Sequence, residues 1–175
     1  MAESVVIRKQ SFSRAEADII QSEIRKSPDI TGYSLRELLG FESVFKAYSD
    51  GEFAGACINF DFGERWTELS GFVVLPKFRG QGIGRALYQT AWEDAVNRKR
   101  NIYVVSRHPA MQKIMCRSDL KIIAEFRKLP RAIRLHSLRF AISWYRLLEA
   151  IRKWPMKKSG KFIFGIKQIT NNPTS

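Results

Sequence analysis

The stretch Leu69–Leu87, LSGFVVLPKFRGQGIGRAL, constrains the fold more than any other part of the chain. It passes from an apolar strand through Pro76 into a turn of Arg and Gly, and then into a helix. Gly80, Gly82 and Gly84 alternate there. Without a Cβ, glycine lets the backbone curl tightly and come close to a ligand. A helix starting near Gly82 leaves its first N–H groups without internal partners, at the positive end of the helix dipole. Such a cluster is an anion site suited to a pyrophosphate. Arg79 adds a full positive charge beside it.

Three kinds of phosphate loop compete for this turn. A P-loop ends in Gly-Lys-Ser/Thr, whereas Gly84 is followed by Arg85-Ala86, so that reading fails. A dinucleotide fingerprint needs a further glycine three residues beyond Gly82 or Gly84, where Arg85 and Leu87 stand. It also needs a parallel strand–helix–strand start. The strands before this turn read instead as an antiparallel meander. A coenzyme A pyrophosphate agrees with both order and spacing.

That meander emerges from the chain in order. Ser4–Lys9 is short and rich in β-branched residues and predicts a strand. Ser13 and Glu16 form a capping box for a helix with Ala15, Ala17, Ile19, Ile20 and Ile24 on its inner face, stopped by Pro28. A short helix follows over Ser34–Leu39. Alternation over Val44–Tyr48, the Asp50-Gly51 turn and the return strand Glu52–Phe62 make a hairpin. A turn at Gly63–Arg65 leads into the strand Trp66–Leu75. Beyond the glycine turn, Ile83–Arg98 predicts an amphipathic helix with Ala86, Leu87, Ala91, Ala95 and Val96 inside. Asn101–Ser106 predicts a buried strand, His108–Ser118 a helix opening at Pro109, and Lys121–Arg127 a strand. Arg131–Trp154 has apolar residues at helical spacing (Leu135, Leu138, Ile142, Tyr145, Leu148, Ile151) and predicts one long helix closed by Pro155. A basic linker, Met156–Lys161, a last strand, Phe162–Lys167, and a frayed tail, Gln168–Ser175, complete the chain.

Composition sharpens the function classes. The net charge of +13 is uneven. Residues 1–120 carry 17 basic and 15 acidic side chains, and residues 121–175 carry 13 and 2. The cationic last third suits either a solvated surface or an anionic contact: a phosphorylated ligand, nucleic acid or an acidic membrane. No apolar run approaches the roughly 18 residues that span a bilayer, and no secretory signal is visible at the start. Cys57 and Cys116 make no disulfide framework, and with His108 and His136 no metal spacing, so no metal is expected. A cytoplasmic location with reduced thiols is the expectation.

Arg79-Gly80-Gln81-Gly82-Ile83-Gly84 resembles the R/Q-x-x-G-x-G/A signature of the GNAT superfamily of acyl-CoA N-acyltransferases, and the order of elements over residues 4–168 is similar to that fold. The resemblance implies an α/β (α+β) domain over residues 1–170. Its sheet is central, mixed, mostly antiparallel and twisted, with six to seven strands flanked by helices. An extra helical insertion with its basic linker (131–158) precedes the last strand, and 171–175 is a tail. It further implies acetyl-CoA as cosubstrate and an amine acceptor. Arg79, Gly80, Gln81, Gly82, Ile83, Gly84 and Arg85 would hold the CoA pyrophosphate. Phe72, Val73 and Val74 would pair with pantetheine and stabilise the oxyanion. Glu68 stands where several members carry a general base, sharing by period two one strand face with Ser70, Phe72 and Val74; a solvent-exposed or salt-bridged strand glutamate is the other reading.

The chain also departs from the family pattern. In the helix after Ser106, His108 replaces the usual Asn, Met115 the Tyr that commonly protonates the leaving thiolate, and Asp119 the Gly. Met115 cannot donate a proton, and Cys116 reads as a small core residue. His108 fits either a ligand contact or a capping or surface role. The stretch 131–154 can be core, pack on a partner subunit such as a homodimer, lie on an anionic membrane, or wall the substrate site. The function implied is an N-acetyltransferase acting by direct attack in a ternary complex. The alternative is a weak or inactive acyl-CoA-binding module whose basic third contacts an anionic partner. Nucleic-acid binding rests on charge alone.

Overall fold

The computed structural model describes residues 5–30, 32–156 and 160–169. Its seven strands form one sheet in the order β1-β2-β3-β4-β5-β7-β6. They are β1 (Val5–Lys9), β2 (Val44–Ser49), β3 (Glu52–Phe62), β4 (Trp66–Val74), β5 (Asn101–Ser106), β6 (Lys121–Ile123) and β7 (Ile163–Lys167). Only β4 and β5 run parallel; every other pairing is antiparallel. Six helices accompany them: α1 (Arg14–Lys26), α2 (Leu35–Leu39), α3 (Ile83–Asn97), α4 (Pro109–Arg117), α5 (Arg131–Ala141) and α6 (Trp144–Arg152).

Local chemistry explains the starts and stops. Ser13 accepts from the Glu16 amide while the Glu16 side chain returns to the Ser13 amide, and Ser34 with Glu37 repeats this box on α2. Asp50 and Gly51 take φ of 47° and 83°, the two positive values that a tight hairpin turn requires. Lys46 and Tyr48 of β2 donate to the Glu16 carboxylate at 2.8 and 2.5 Å, tying α1 to the sheet. Burial alone would raise the Glu16 pKa, yet these bonds outweigh it and hold the carboxyl at about 2.

The sheet is covered on both faces. On one, α3 and α4 bury Leu87, Ala91, Met111 and Met115 against Leu69, Ile102 and Val104. On the other, α1 and α2 bury Ile20, Ile24 and Leu38 against Val44, Ile58 and Val73. The second face continues beneath α5, where Ile133 meets Phe62, Trp66, Tyr103 and Ile166.

Several sequence expectations differ from the fold. Ala15 and Ile19 are exposed, because each lies two residues from buried Ala17, about 200° round the helix. The strand expected over Lys121–Arg127 ends at Ile123. It is an edge strand paired only with β7, and the chain leaves it through a 3-10 turn (Phe126–Lys128) that brings Leu129 and Ile133 into the core. Cys116 is exposed: Met111 and Met115 take the buried face of α4, and the next residue points about 100° away. The single helix expected over Arg131–Trp154 is two. Ser143 adopts an extended ψ of 122° between α5 and α6, a conformation serine favours at helix starts over helix interiors. Ser4, part of the basic linker (157–159) and the end of the tail (170–175) lie outside the described residues.

Candidate active site

The glycine turn is built for backbone exposure. Gly80 and Gly82 take φ of 84° and 81°, and a Cβ on either would meet nothing within 4 Å. Gly82 caps α3 in the left-handed conformation without a side-chain partner, so the first amides of α3 face outward beside it. Arg79, Gly80, Gln81, Gly82 and Arg85 are exposed, Gly84 is half-buried, and Ile83 anchors the turn in the core. Arg79 Nε donates to the Val74 carbonyl at 3.0 Å, fastening the turn to the end of β4. From Arg85 a groove of about 480 Å³ runs between α3 and α4, lined also by Tyr88, Gln89, Trp92, Lys113 and Arg117.

Above the turn the sheet opens. β4 pairs with β5 only from Trp66–Glu68 to Asn101–Tyr103, although both strands continue to Val74 and Ser106. β4 is also bulged: Ile58 faces Ser70, whereas Ala56 faces Val73. Gly71 takes a φ of 55° there, and a Cβ on it would collide with Ile58 Cδ1.

This extra residue corrects the expected strand face. Glu68 and Ser70 lie opposite Phe60 and Ile58, on the α1–α2 face, and Val73 follows them. Phe72 and Val74 turn to the α3 face, where both approach Gly84. The bulge therefore divides β4 into a Glu68 half and a Phe72–Val74 half serving opposite sides of the sheet.

Glu68 is buried, and its Oε2 lies 2.6 Å from Nε2 of His136 on α5. The His136 ring stacks on Phe62 at 3.9 Å and on Phe60 at 5.4 Å, which fixes its orientation. Two tyrosines border the carboxylate. Burial first, and then the Glu68 charge, raises the pKa of Tyr33, whose hydroxyl is hydrogen-bonded to Ser70. The same two causes raise that of Tyr103, bonded to Ser137. Arg146 of α6 completes the cluster. It donates to Glu37 at 2.9 Å and sits 5.3 Å above the Tyr33 ring. Its burial lowers its pKa, against the pull of Glu37, Tyr33 and Glu68.

Helices α5 and α6 thus roof the Glu68 face. Lys153 holds the far end, donating to the carbonyls of Ile24 and Ile30 at 2.6 and 2.8 Å. Glu149 reaches Arg152 at 2.7 Å and Arg25 at 3.6 Å. Gly32 permits this approach, since a Cβ there would fall 2.5 Å from Glu149 Cγ.

The acetyltransferase (GNAT) family profile matches residues 14–113. The chain belongs to this family. Solved structures share its fold at low identity. N-acetylglutamate synthase from Neisseria gonorrhoeae, complexed with coenzyme A and N-acetyl-glutamate, gives a TM-score of 0.68 at 14% identity over 93% of this GNAT chain. This chain spans only 35% of that enzyme. Rv2747 from Mycobacterium tuberculosis, in complex with CoA and NLQ, gives 0.66 at 14% identity, covering 94% of this chain and 99% of that one. The ribosomal-protein-S18-alanine N-acetyltransferase from Escherichia coli gives 0.61 at 13%, covering 95% of each. No curated protein sequence matches the chain.

Met115 is fully buried. Asp119 is exposed and pairs with Lys167 at 2.6 Å. His108 is exposed, and its side chain caps nothing; its amide bonds Ser106 Oγ. Among the described residues no group of three His, Cys, Asp or Glu side chains could hold a metal, and no helix is long and apolar enough to cross a membrane. Sequence reasoning missed His136, Tyr33, Arg146 and Gly71. The available signal for His136 was its place three residues after Ile133, on the inner face of a helix inserted beside the expected acceptor groove.

Proposed function

We propose that the chain is an acetyl-CoA-dependent N-acetyltransferase whose amine acceptor meets the thioester beside Glu68. The observation that carries this reading is the opening between β4 and β5, which begins just past Glu68 and leads down to the glycine turn. The turn amides from Gly80 to Arg85 hold the pyrophosphate, the Arg79 amide being already bonded to the Pro76 carbonyl. The groove with Arg85, Lys113 and Arg117 takes the nucleotide end of the donor. Pantetheine lies along Phe72–Val74 as a partial strand, and a main-chain N–H there donates to the thioester carbonyl as it becomes an oxyanion.

The amine nitrogen attacks the carbonyl carbon from the Glu68 side. Its surplus proton passes to the Glu68–His136 pair, directly or through one water. The C–S bond breaks and the CoA thiolate leaves. A thiol of pKa roughly 8.5 needs no dedicated acid and takes its proton from water, which accommodates Met115. The N-acetyl-glutamate bound by one GNAT neighbour favours an acceptor of amino-acid size. The cationic surroundings favour one that is neutral or acidic over a polyamine.

A second reading, a CoA-binding module without turnover, draws on Met115. Under both readings acetyl-CoA raises the melting temperature. Only the first gives free thiol that depends on an added amine. A screen of amino acids, small amines and peptide N-termini, scored by thiol release and N-acetyl product, is the deciding experiment. Thermal stabilisation without amine-dependent thiol release would favour the binding module.

A further inference from the structure

Helix α6 is inside out. Its buried side chains are charged: Arg146, Glu149 and, just beyond its end, Lys153. Its exposed ones, Arg152 apart, are apolar. Trp144 is 72% exposed, Ile151 63% and Trp154 80%, with Leu147 and Leu148 between them. Helix α5 adds Leu135 and Leu138, and Ile142 at the corner between the helices is 81% exposed. Spacings of three and four residues make each set one stripe, and the two stripes meet at Ile142–Trp144. A run of this kind far exceeds the scattered single apolar residues of an ordinary surface.

Charge decides what covers it. Arg131 and Arg134 are exposed on α5, and Arg127 is exposed in the turn that leads into it. Glu125 and Glu149 are the only acidic side chains after residue 120. Glu149 faces inward onto Arg25, Arg152 and Lys153, and Glu125 is bonded to Lys128. The apolar face is therefore framed by cations. A second copy would bring the same cations and another +13 against it. A nucleic acid would match the cations and could stack a base on a tryptophan, but it offers nothing to the aliphatic majority of the stripe, Leu135, Leu138, Ile142, Leu147, Leu148 and Ile151. A bilayer with anionic headgroups matches both: acyl chains for the stripe, headgroups for the arginines, and the interfacial layer for tryptophans at both ends of α6.

We propose that the exposed face of α5–α6 docks on an anionic lipid surface, seating the protein in the interface plane with its Glu68 face directly beneath the docked helices. Lipid docking is independent of the reaction assigned to Glu68.

Flotation of the full chain with phosphatidylglycerol-rich vesicles, beside pure phosphatidylcholine vesicles, tests this. The expected result is binding to the anionic vesicles only, falling as salt rises, with a blue shift of tryptophan emission. Trp144→Ser/Trp154→Ser and Arg131→Gln/Arg134→Gln should each weaken partitioning by about tenfold or more. Both pairs are exposed, so circular dichroism should give wild-type melting. Absence of vesicle binding overturns the proposal, as does equal binding to neutral and anionic vesicles. A lipid-free dimer that Trp144→Ser/Trp154→Ser renders monomeric also overturns it and assigns the face to a second copy. Unchanged partitioning in both double variants would place any lipid contact elsewhere and equally sink it.

Discussion

Under the proposed function, the two sides of β4, one for the donor and one for the acceptor, would solve recognition by different means. The donor side, from Phe72 through Gly82 to α3, offers main chain: positive-φ glycines, unpaired helix amides and a strand edge with no neighbour. The acceptor side offers side chains gathered from afar. Glu68 meets His136 across 68 positions, and Glu37 meets Arg146 across 109. Backbone recognition tolerates exchange of most side chains and suits a cosubstrate shared by many enzymes. Recognition by buried charges depends on each group, and suits an acceptor particular to one enzyme.

Substitutions on the two sides should therefore separate cleanly. Glu68→Gln should have the largest effect, lowering kcat by about 10²–10⁴-fold at neutral pH with the KM for acetyl-CoA unchanged. Steady-state kinetics across pH checks it, and an unaltered profile would remove Glu68 from the chemistry. Arg146→Met leaves Glu37 without its buried partner. With Glu37 partly open to solvent, the cost should be about 2 kcal/mol, or about 5 °C in melting temperature. Loss of stability without change in KM for acetyl-CoA would keep the two sides distinct; the converse would merge them.

Gly82→Val forces a β-branched residue into the left-handed region, at about 1–2 kcal/mol of strain. It should raise the KM for acetyl-CoA about tenfold and leave the chemical step alone, as single-turnover measurement at saturating donor would show. The last effect belongs to neither side. Glu16, held at about 2 in the fold against an ordinary 4.5, stabilises fully above pH 4.5, and that stability fades as pH falls toward 2. Lys46→Met should flatten this acid limb in a pH series of melting curves while sparing donor binding.

What was legible in the sequence follows the same division. Ser13–Glu16, Asp50-Gly51 and Arg79–Gly84 state their geometry within a few residues, because caps and turns are local physics. Six to seven strands were what the resemblance to the GNAT fold implied, and seven are present among the described residues. Gly71 was opaque, since a bulge leaves the apolar run intact while flipping Phe72 and Val74 to the other face. The α5–α6 corner was hidden for a similar reason: apolar spacing continues through Ile142–Ser143 although the backbone does not. His136 and Arg146 could not be placed, because nothing in a linear chain says that a helix more than sixty residues downstream closes over Glu68. The inward charges of α6 invert the usual inference from hydrophobic pattern to core.

The short contact between β4 and β5 also bears on mechanics. Three residue pairs join the four-stranded raft β1–β4 to the three-stranded raft β5–β7. A ligand seated in the gap would be the missing length of seam between the two rafts, so that loading the donor stiffens the whole sheet as well as filling a site. Slowed amide exchange in β5 and β7, far from any contact with the ligand itself, would be its signature.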